Sequence, residues 1–329
     1  MEIFNYKKKE FNIIPSNKQI LEITNKSHLE ERIIKEGSIL TNENSDIAFY
    51  SNQVIFNLNK NNIENILHHS PYDSGKQWKP KTINMMYLIT KQINNNVVDL
   101  LRQPIPRFLA VSITGLGGTI IEPNVPKYEE TFDRLEKLID SGFDVNDLVI
   151  RIDPLYPGIN TPDVNKKLLV DIIERTYKLG VKQIYTSIFD IYKNTPQSML
   201  DELDMSVYDN GFAVDNVLHA NKHYLKEMFS VVYELIYKVS NGSIKHSLCG
   251  EHGDVIPKYA IKIGCLNKER IEQTLQCKVK NIKDRKYDDK NIQRETCLCV
   301  ITDDNKKVKR QALTHNHKCN HKCLGCYIQ

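Results

Sequence analysis

The sequence predicts an α/β fold in which parallel strands are crossed by helices, either closed into a partial or complete (β/α) TIM-type barrel or wound into an open sheet. From about residue 84, short apolar runs of strand length alternate with longer segments whose apolar residues recur at helical spacing. Successive strands start near residues 108, 147 and 181, which are 39 and 34 residues apart. This is the length of a right-handed strand–helix–strand unit. In both arrangements ligands gather at the carboxyl ends of the strands.

Each strand is predicted from an apolar run, and each helix from an apolar stripe with typical start or stop residues. The predicted strands are Met85–Thr90, Phe108–Thr114, Leu148–Ile152, Val181–Phe189, Ile244–Cys249 and Cys297–Ile301. The predicted helices cover about residues 94–102, 126–141, 161–179 and 225–239. Pro126 and the pair Thr161-Pro162 are typical of helix starts, and Gly142 and Gly180 are typical of helix ends.

The first 83 residues differ from the rest of the chain because they are polar and rich in asparagine. We treat residues 1–83 as an N-terminal extension of uncertain order and residues 84–329 as the barrel with a C-terminal cysteine cluster. Within the extension, Ile47–Leu58 is a hairpin candidate. His68, His69 and Trp78 are assigned no functional role.

Composition excludes several classes of protein. The chain has 329 residues, of which 40% are hydrophobic and 26% charged, and its longest apolar runs are too short to span a membrane. No secretory signal is recognised at the start, so we expect a cytoplasmic protein with no membrane partner. Phosphate-binding and dinucleotide-binding glycine motifs are also missing, which leaves nucleotide hydrolysis and NAD chemistry without support.

Cysteine placement is the strongest functional signal. Five of the eight cysteines lie in the last 33 residues. Three of them, Cys319, Cys323 and Cys326, are spaced to hold one metal centre. A [4Fe-4S] cluster with three cysteine ligands keeps one iron open, and that iron can bind S-adenosyl-L-methionine. A zinc site built from the same thiols with His315, His317 or His321 is the alternative.

The remaining two clustered thiols, Cys297 and Cys299, are also candidate metal ligands. Side chains one residue apart on an extended strand point to opposite faces, so both reach one metal only if the strand is bulged. We expect Cys299 to lie near the three-cysteine loop and to support its ligands rather than to bind the metal directly. A fourth protein thiolate would block S-adenosyl-L-methionine.

Other candidates follow the predicted strands. Gly115, Arg151 and Asp153 are candidate cofactor-binding residues, although a tight turn explains Gly115 equally well and the two charged residues could simply pair with each other. Glu251 and His252 are candidate catalytic residues: the former could bind an amine or a ribose hydroxyl, and the latter could transfer a proton near neutral pH. A structural glutamate near a helix N-terminus is the alternative for Glu251.

Several segments carry a resemblance to a known family. They are Tyr87–Lys91, Val111–Gly115, Ile121–Pro126, Val149–Gly158 and, before the three-cysteine motif, Asp289–Cys299. Together they resemble the radical-SAM-related branch that includes spore photoproduct lyase-like proteins, and in particular a set of uncharacterised bacterial barrel proteins with a C-terminal cysteine cluster. The resemblance covers roughly residues 84–329.

The resemblance implies a strand–helix barrel with an iron-sulfur cluster at its mouth and radical S-adenosyl-L-methionine-type chemistry supplied by an electron donor. A lyase or repair-type reaction on nucleic acid is the implied activity, and residues 301–329, which carry the chain's net charge of +4, are compatible with that partner. Two alternatives stay open: a non-catalytic binding protein with a zinc-stabilised barrel, and a pseudoenzyme that retains only the cluster loop.

Overall fold

A seven-stranded parallel sheet forms the centre of the fold in the computed structural model of the chain. The structure describes residues 14–24, 26, 30–34, 38–42, 46–52, 54–55, 65–67, 80–82, 84–214, 216–249, 251, 253–260, 264–284, 300–304, 311–312 and 319–326. The strands are β1 (Glu31–Arg32), β2 (Ile39–Thr41), β3 (Asn65–Leu67), β4 (Pro80–Thr82), β5 (Met85–Thr90), β6 (Arg107–Ser112), β7 (Leu148–Leu155), β8 (Gln183–Ile188), β9 (Ile191–Tyr192), β10 (Phe212–Val214), β11 (Val217–His219), β12 (Lys245–Leu248), β13 (Lys278–Val279), β14 (Ile282–Asp284), β15 (Val300–Thr302) and β16 (Gln311–Ala312).

Helices connect most of the long strands. They are α1 (Asn17–Ile23), α2 (Asn95–Leu101), α3 (Tyr128–Asp140), α4 (Pro162–Lys178), α5 (Gln197–Leu200), α6 (Lys222–Ser240) and α7 (Lys268–Leu275), with 3₁₀ turns at Ile47–Phe49, Val145–Asp147, Met205–Tyr208 and Gly253–Val255. None of the helices in the described ranges is long and apolar enough to cross a membrane.

The strand order follows the chain. Strands β2, β5, β6, β7, β8 and β12 lie side by side in that order, and β16 pairs with the outer edge of β2. All of these pairs are parallel. The mixed α/β fold with a parallel sheet is therefore confirmed. Within the described residues no pairing joins β12 to β16, so the sheet is not closed into a barrel there.

The segment assigned to the N-terminal extension contributes to this sheet. Strand β2 pairs with β5 through Ile39 opposite Met85, and its other edge pairs with β16. The hairpin predicted at Ile47–Leu58 is wrong: residues 47–49 form a 3₁₀ turn, and residues 51, 52, 54 and 55 are helical. The side chain of Asp46 accepts a hydrogen bond from the main-chain N–H of Ala48, which starts the helical turn.

The other predicted elements agree with the structure, with shifts at their ends. Pro126 is not the first helical residue, because α3 starts at Tyr128 with Lys127 at its N-cap. Thr161 is the N-cap of α4 and Pro162 its first residue, as predicted. Of the strand predicted at Cys297–Ile301, the described part is β15, which pairs antiparallel with β14 outside the main sheet.

Both faces of the sheet are buried, which is typical of parallel sheets. On one face, alternate residues such as Leu88, Val111 and Ile152 pack with the helices in the larger apolar cluster. On the other face, Tyr87 and Phe108 stack at 5.7 Å and pack in a second cluster. That cluster also includes Leu266, Ile271, Leu275 and Val279, in and beside α7.

Helix α7 lies at the amino ends of the strands. The guanidinium of Arg270 donates to the side chain of Gln183 at the start of β8 and to the main-chain oxygen of Asn146 just before β7. It also lies 4.2 Å from the ring centroid of Phe108 near the start of β6. Because α7 covers this end, the carboxyl ends are the side on which a site can be built.

His246 on β12 should make the protein sensitive to mild acid. Its Nε2 lies 2.8 Å from Oγ1 of Thr186, and its Nδ1 has no hydrogen-bond partner among the described residues. Burial lowers the pKa of His246 from 6.5 to about 3. The unfolded chain therefore binds a proton before the folded chain does. The contribution of the neutral His246 to stability is fully present above about pH 6.5. Below that pH, the free energy of unfolding falls by up to about 1.4 kcal/mol per pH unit as the pH drops toward 3.

Denaturant titrations at about pH 7.5 and about pH 5 measure this effect. In His246→Gln, the difference in the free energy of unfolding between the two pH values should shrink by about 2 kcal/mol. The control His223→Gln changes a side chain that is 93% exposed and should leave the difference as in the parent protein. An unchanged difference in His246→Gln would contradict the prediction.

Candidate metal centre

The three-cysteine loop, residues 319–326, lies over the carboxyl ends of the sheet and docks on the segment that follows β6. The main-chain N–H of Leu324 donates to the carbonyl oxygen of Ile121 at 2.9 Å. The side-chain amide of Asn124 donates to the carbonyl oxygen of Asn320 at 2.7 Å. The main-chain N–H of Asn124 donates to the carbonyl oxygen of His321 at 3.3 Å. These bonds fix both halves of the loop against one segment.

His321, between the first two cysteines, ties the loop to a second segment. Its Nε2 lies 2.9 Å from Oδ2 of Asp46, and its Nδ1 lies 3.2 Å from the main-chain oxygen of Asn124. The ring also meets Phe49 edge to face, with centroids 4.7 Å apart. The imidazole is 1% exposed, and both nitrogens face oxygen atoms of the protein. In this conformation His321 cannot also bind a metal.

Gly325 lets the loop approach two aromatic rings that follow β7 and β8. A Cβ atom at position 325 would lie 2.8 Å from the ring of Tyr156 and 2.9 Å from that of Phe189. The two rings pack against each other, with centroids 5.0 Å apart. The close approach, rather than a special backbone angle, accounts for glycine at this position.

Replacing Gly325 with alanine should therefore push the loop off the rings. We expect the free energy of unfolding to fall by about 1–3 kcal/mol, because the added methyl overfills a packed contact. Denaturant titration measures the change, and Asn320→Ala, which trims an exposed side chain of the same loop, is the control. Equal stabilities of the two variants would show that the contact is loose.

The three thiols influence one another electrostatically. Burial raises the pKa of Cys323 to about 12; Lys91 lowers this pKa, whereas Glu122, Cys326 and Cys319 raise it. Burial also raises the pKa of Cys319. None of the described cysteines forms a disulfide. Burial makes the negatively charged thiolate energetically unfavourable, and a bound metal cation offsets this penalty.

The prediction that the three sulfur atoms converge on one point is not met in this conformation. Among the residues that the structure describes, no group of three or more His, Cys, Asp or Glu side chains is arranged to hold a metal ion. Cys323 is 8% exposed and the other two cysteines of the loop are half-buried. Cys297, Cys299, His315 and His317 lie outside the described residues.

An ion pair between a partly buried lysine and a fully buried glutamate lies beside Cys323. Nζ of Lys91, just after β5, donates to Oε1 of Glu122 at 2.5 Å, and the hydroxyl of Thr114 donates to Oε2 at 2.5 Å. Burial by itself lowers the pKa of Lys91, but the charges of Glu122, Cys323 and Asp46 raise it above its ordinary value. Both carboxylate oxygens of Glu122 are thus occupied, and a stable cation faces the thiol.

The candidate cofactor-binding residues lie at the same edge. Arg151 and Asp153 form an ion pair, and the hydroxyl of Ser187 donates to the other oxygen of Asp153. Arg151 also lies 3.8 Å from the sulfur of Cys249. Gly115 has a φ of +79°, and a Cβ there would lie 2.6 Å from the Leu168 side chain, so a turn and packing explain this glycine. A cofactor-binding role for these residues stays a prediction.

Glu251 lies in a separate buried cluster at the ends of β8 and β12. It is 3% exposed and accepts a hydrogen bond from the main-chain N–H of Ile188. Burial raises the pKa of Glu251 well above its usual value, and Asp190 raises it further. Asp190 in turn pairs with Nδ1 of His219 at 2.8 Å. His252, the other predicted catalytic residue, lies outside the described residues.

Sequence reasoning missed several residues that surround the loop. Asp46 and Phe49 were hidden in the polar extension. Lys91 and Tyr156 were quoted only within longer motifs. The available signal was positional, since Lys91 comes directly after a buried strand end.

The fold and the site define a class: an α/β protein whose parallel sheet carries a three-cysteine loop at its carboxyl edge. More particularly, the chain belongs to the family described as "Domain of unknown function (DUF1848)", whose model matches residues 39–328. No curated protein matches the sequence.

Solved structures resemble the chain only distantly. DHODH from Eimeria tenella, determined in complex with ferulenol, is 13% identical with a TM-score of 0.30, over 52% of this chain and 48% of that chain. The chain thus matches about half the length of that protein. An aldolase, QR15, is 13% identical with a TM-score of 0.26, over 60% of this chain and 68% of that chain.

Proposed function

We propose that the protein is an iron-sulfur protein with radical S-adenosyl-L-methionine-type chemistry, built on a partial or complete (β/α) TIM-type barrel of the radical-SAM-related branch. The observation that carries the proposal is the position of the loop with Cys319, Cys323 and Cys326, which docks over the carboxyl ends of parallel strands. The sequence resemblance extends the proposal to a lyase or repair-type reaction on nucleic acid, in the cytoplasm, with an external electron donor.

The donor set suits a [4Fe-4S] cluster in its chemistry. Three thiols lie on one eight-residue loop, and the charges of Cys319 and Cys326 raise the pKa of Cys323. The nearby side chains of Glu122 and His321 are engaged with other protein groups. In this conformation neither of these two side chains is available as a fourth ligand, and a position left open by the protein would accept S-adenosyl-L-methionine. When bound, the cluster supplies the electron for reductive cleavage of that cofactor.

The surrounding residues then have distinct roles. Lys91 places an ammonium group beside Cys323 and favours its thiolate form. Tyr156 and Phe189 cover the back of the loop at Gly325 and exclude water there. Arg151 and Asp153 offer charged groups to the cofactor, and Glu251 holds a proton in a buried site because its pKa is raised.

Anaerobic purification followed by iron, sulfide and zinc analysis tests the proposal. We expect about four iron and four sulfide per chain, together with cleavage of S-adenosyl-L-methionine after chemical reduction. Stoichiometric zinc without sulfide would reject the iron-sulfur assignment and leave the zinc-stabilised binding protein. A full cluster without cleavage would favour the pseudoenzyme.

A further inference from the structure

We propose that His321 and Asp46 form a clasp that positions the three-cysteine loop before any metal binds. The inference deepens the proposed function by assigning positioning residues to the same site, but it holds for any metal that the loop takes. It starts from an unusual placement: a histidine between two candidate ligands is turned away from them and is 1% exposed.

The partner of His321 is itself rigidly held. Asp46 accepts hydrogen bonds from the hydroxyl of Thr90 at 2.5 Å and from the main-chain N–H of Lys91 at 2.6 Å, both at the carboxyl end of β5. It also caps the 3₁₀ turn at Ile47–Phe49 by accepting from Ala48. A carboxylate fixed by three protein donors is a preorganised anchor for a fourth group.

The second nitrogen of His321 connects the loop to another anchor. Nδ1 lies 3.2 Å from the main-chain oxygen of Asn124, whose side chain also bonds the carbonyl of Asn320. Through this one ring, the loop is attached both to the segment that begins at Asp46 and to the segment after β6. The two contacts of the imidazole do not involve a thiol, and the sulfur of Cys319 accepts hydrogen bonds from the main-chain N–H groups of His321 and Asp46, so the same two segments also hold the first cysteine.

A loop that is ordered by these contacts does not have to lose its conformational freedom when it binds a metal. Preorganisation of this kind strengthens binding because the entropy of ordering the loop has already been lost on folding. Without the clasp, the loop should open in the metal-free protein, and its thiols should react faster with small reagents. Thiol reactivity therefore reports on the clasp directly.

The test is iodoacetamide alkylation of the metal-free, full-length protein under native conditions, with each cysteine quantified by peptide mass spectrometry. His321→Phe retains an aromatic ring next to Phe49 but loses both polar contacts. Asp46→Asn places an amide donor opposite His321. In each variant we expect Cys319, Cys323 and Cys326 to react at least about fivefold faster, as the loss of one buried hydrogen bond implies. Cys277, half-buried elsewhere in the fold, is the internal reference and should react as before.

Asp144→Asn is the matched control. Asp144 caps the 3₁₀ turn at Val145–Asp147 by accepting from Asn146, as Asp46 does for its own turn, but it precedes β7 and lies at the opposite end of the sheet. An equal acceleration in Asp144→Asn, or unchanged rates in both His321→Phe and Asp46→Asn, would overturn the proposal. If the two clasp variants do not fold, His321→Gln replaces them: its single amide cannot reach both Asp46 and the main-chain oxygen of Asn124, and the same acceleration is expected.

The outcome is separable from that of the proposed function. The alkylation rates are measured without metal, so a zinc protein with no cleavage activity would still show the clasp. Conversely, if the protein holds an iron-sulfur cluster but the variants are alkylated at the parental rates, the proposed function stands and the clasp is rejected. If the clasp positions the loop, the same variants should retain iron at least about fivefold more weakly than the parent protein after reconstitution with iron and sulfide.

Discussion

Replacing Cys323 with serine should reduce bound iron to background after anaerobic reconstitution. A hydroxyl is a poor substitute for a thiolate toward iron, and two remaining cysteines do not hold a [4Fe-4S] cluster. Cys323 is the most buried of the three candidate ligands at 8% exposure, and it lies beside Lys91. Iron analysis and the visible absorbance of the cluster measure the loss.

The control for this variant is Cys277→Ser, a half-buried thiol away from the loop. It should keep the full iron content, while Cys319→Ser and Cys326→Ser should behave like Cys323→Ser. Iron retained in all three loop variants would show that the metal is held elsewhere in the chain.

Replacing Lys91 with methionine should destabilise the fold by about 3–5 kcal/mol, because it leaves the Glu122 carboxylate buried without its cation. Glu122 is 1% exposed, and of its two contacts only the hydroxyl of Thr114 would remain. The Lys91 stem can be mimicked by methionine, so the loss reports mainly on the charge. Denaturant titration at neutral pH measures the difference in the free energy of unfolding.

Two further variants separate the pair from its parts. The double variant Lys91→Met/Glu122→Gln should recover part of the lost stability, since no buried charge is then left unpaired. Lys238→Met breaks an exposed pair with Glu234 on α6 and should cost no more than about 0.5 kcal/mol. A loss of that small size in Lys91→Met would mean that water reaches the Glu122 carboxylate.

The parallel sheet was predictable because its strands are bounded by strong local signals. Apolar runs such as Met85–Thr90 have the same limits in the sequence and in the structure. The short pairing strands were not predictable, since β2 and β16 have three and two residues and form only against a partner far along the chain. Helical structure after Asp46 was missed because Ile47–Leu58 was interpreted as a hairpin within the polar extension.

The candidate ligands were recognisable in the sequence, but the residues that surround them were not. Cys319, Cys323 and Cys326 have a spacing that can be recognised without a structure. Their neighbours Asp46 and Tyr156 are brought to them by tertiary packing, and no local pattern marks such residues. The same applies to Arg151 and Asp153, whose mutual pairing became evident only from their geometry.

The clasp between Asp46 and His321 joins residues 275 positions apart in the chain. A ribosome adds residues from the N-terminus, so Asp46 leaves the exit tunnel long before its partner is made. The loop with the three cysteines therefore emerges after the strands of the sheet edge on which it docks, and that edge can form first. If the three cysteines bind a metal, loading would follow synthesis of the sheet, and the nascent chain would have to keep this edge accessible until His321 has emerged.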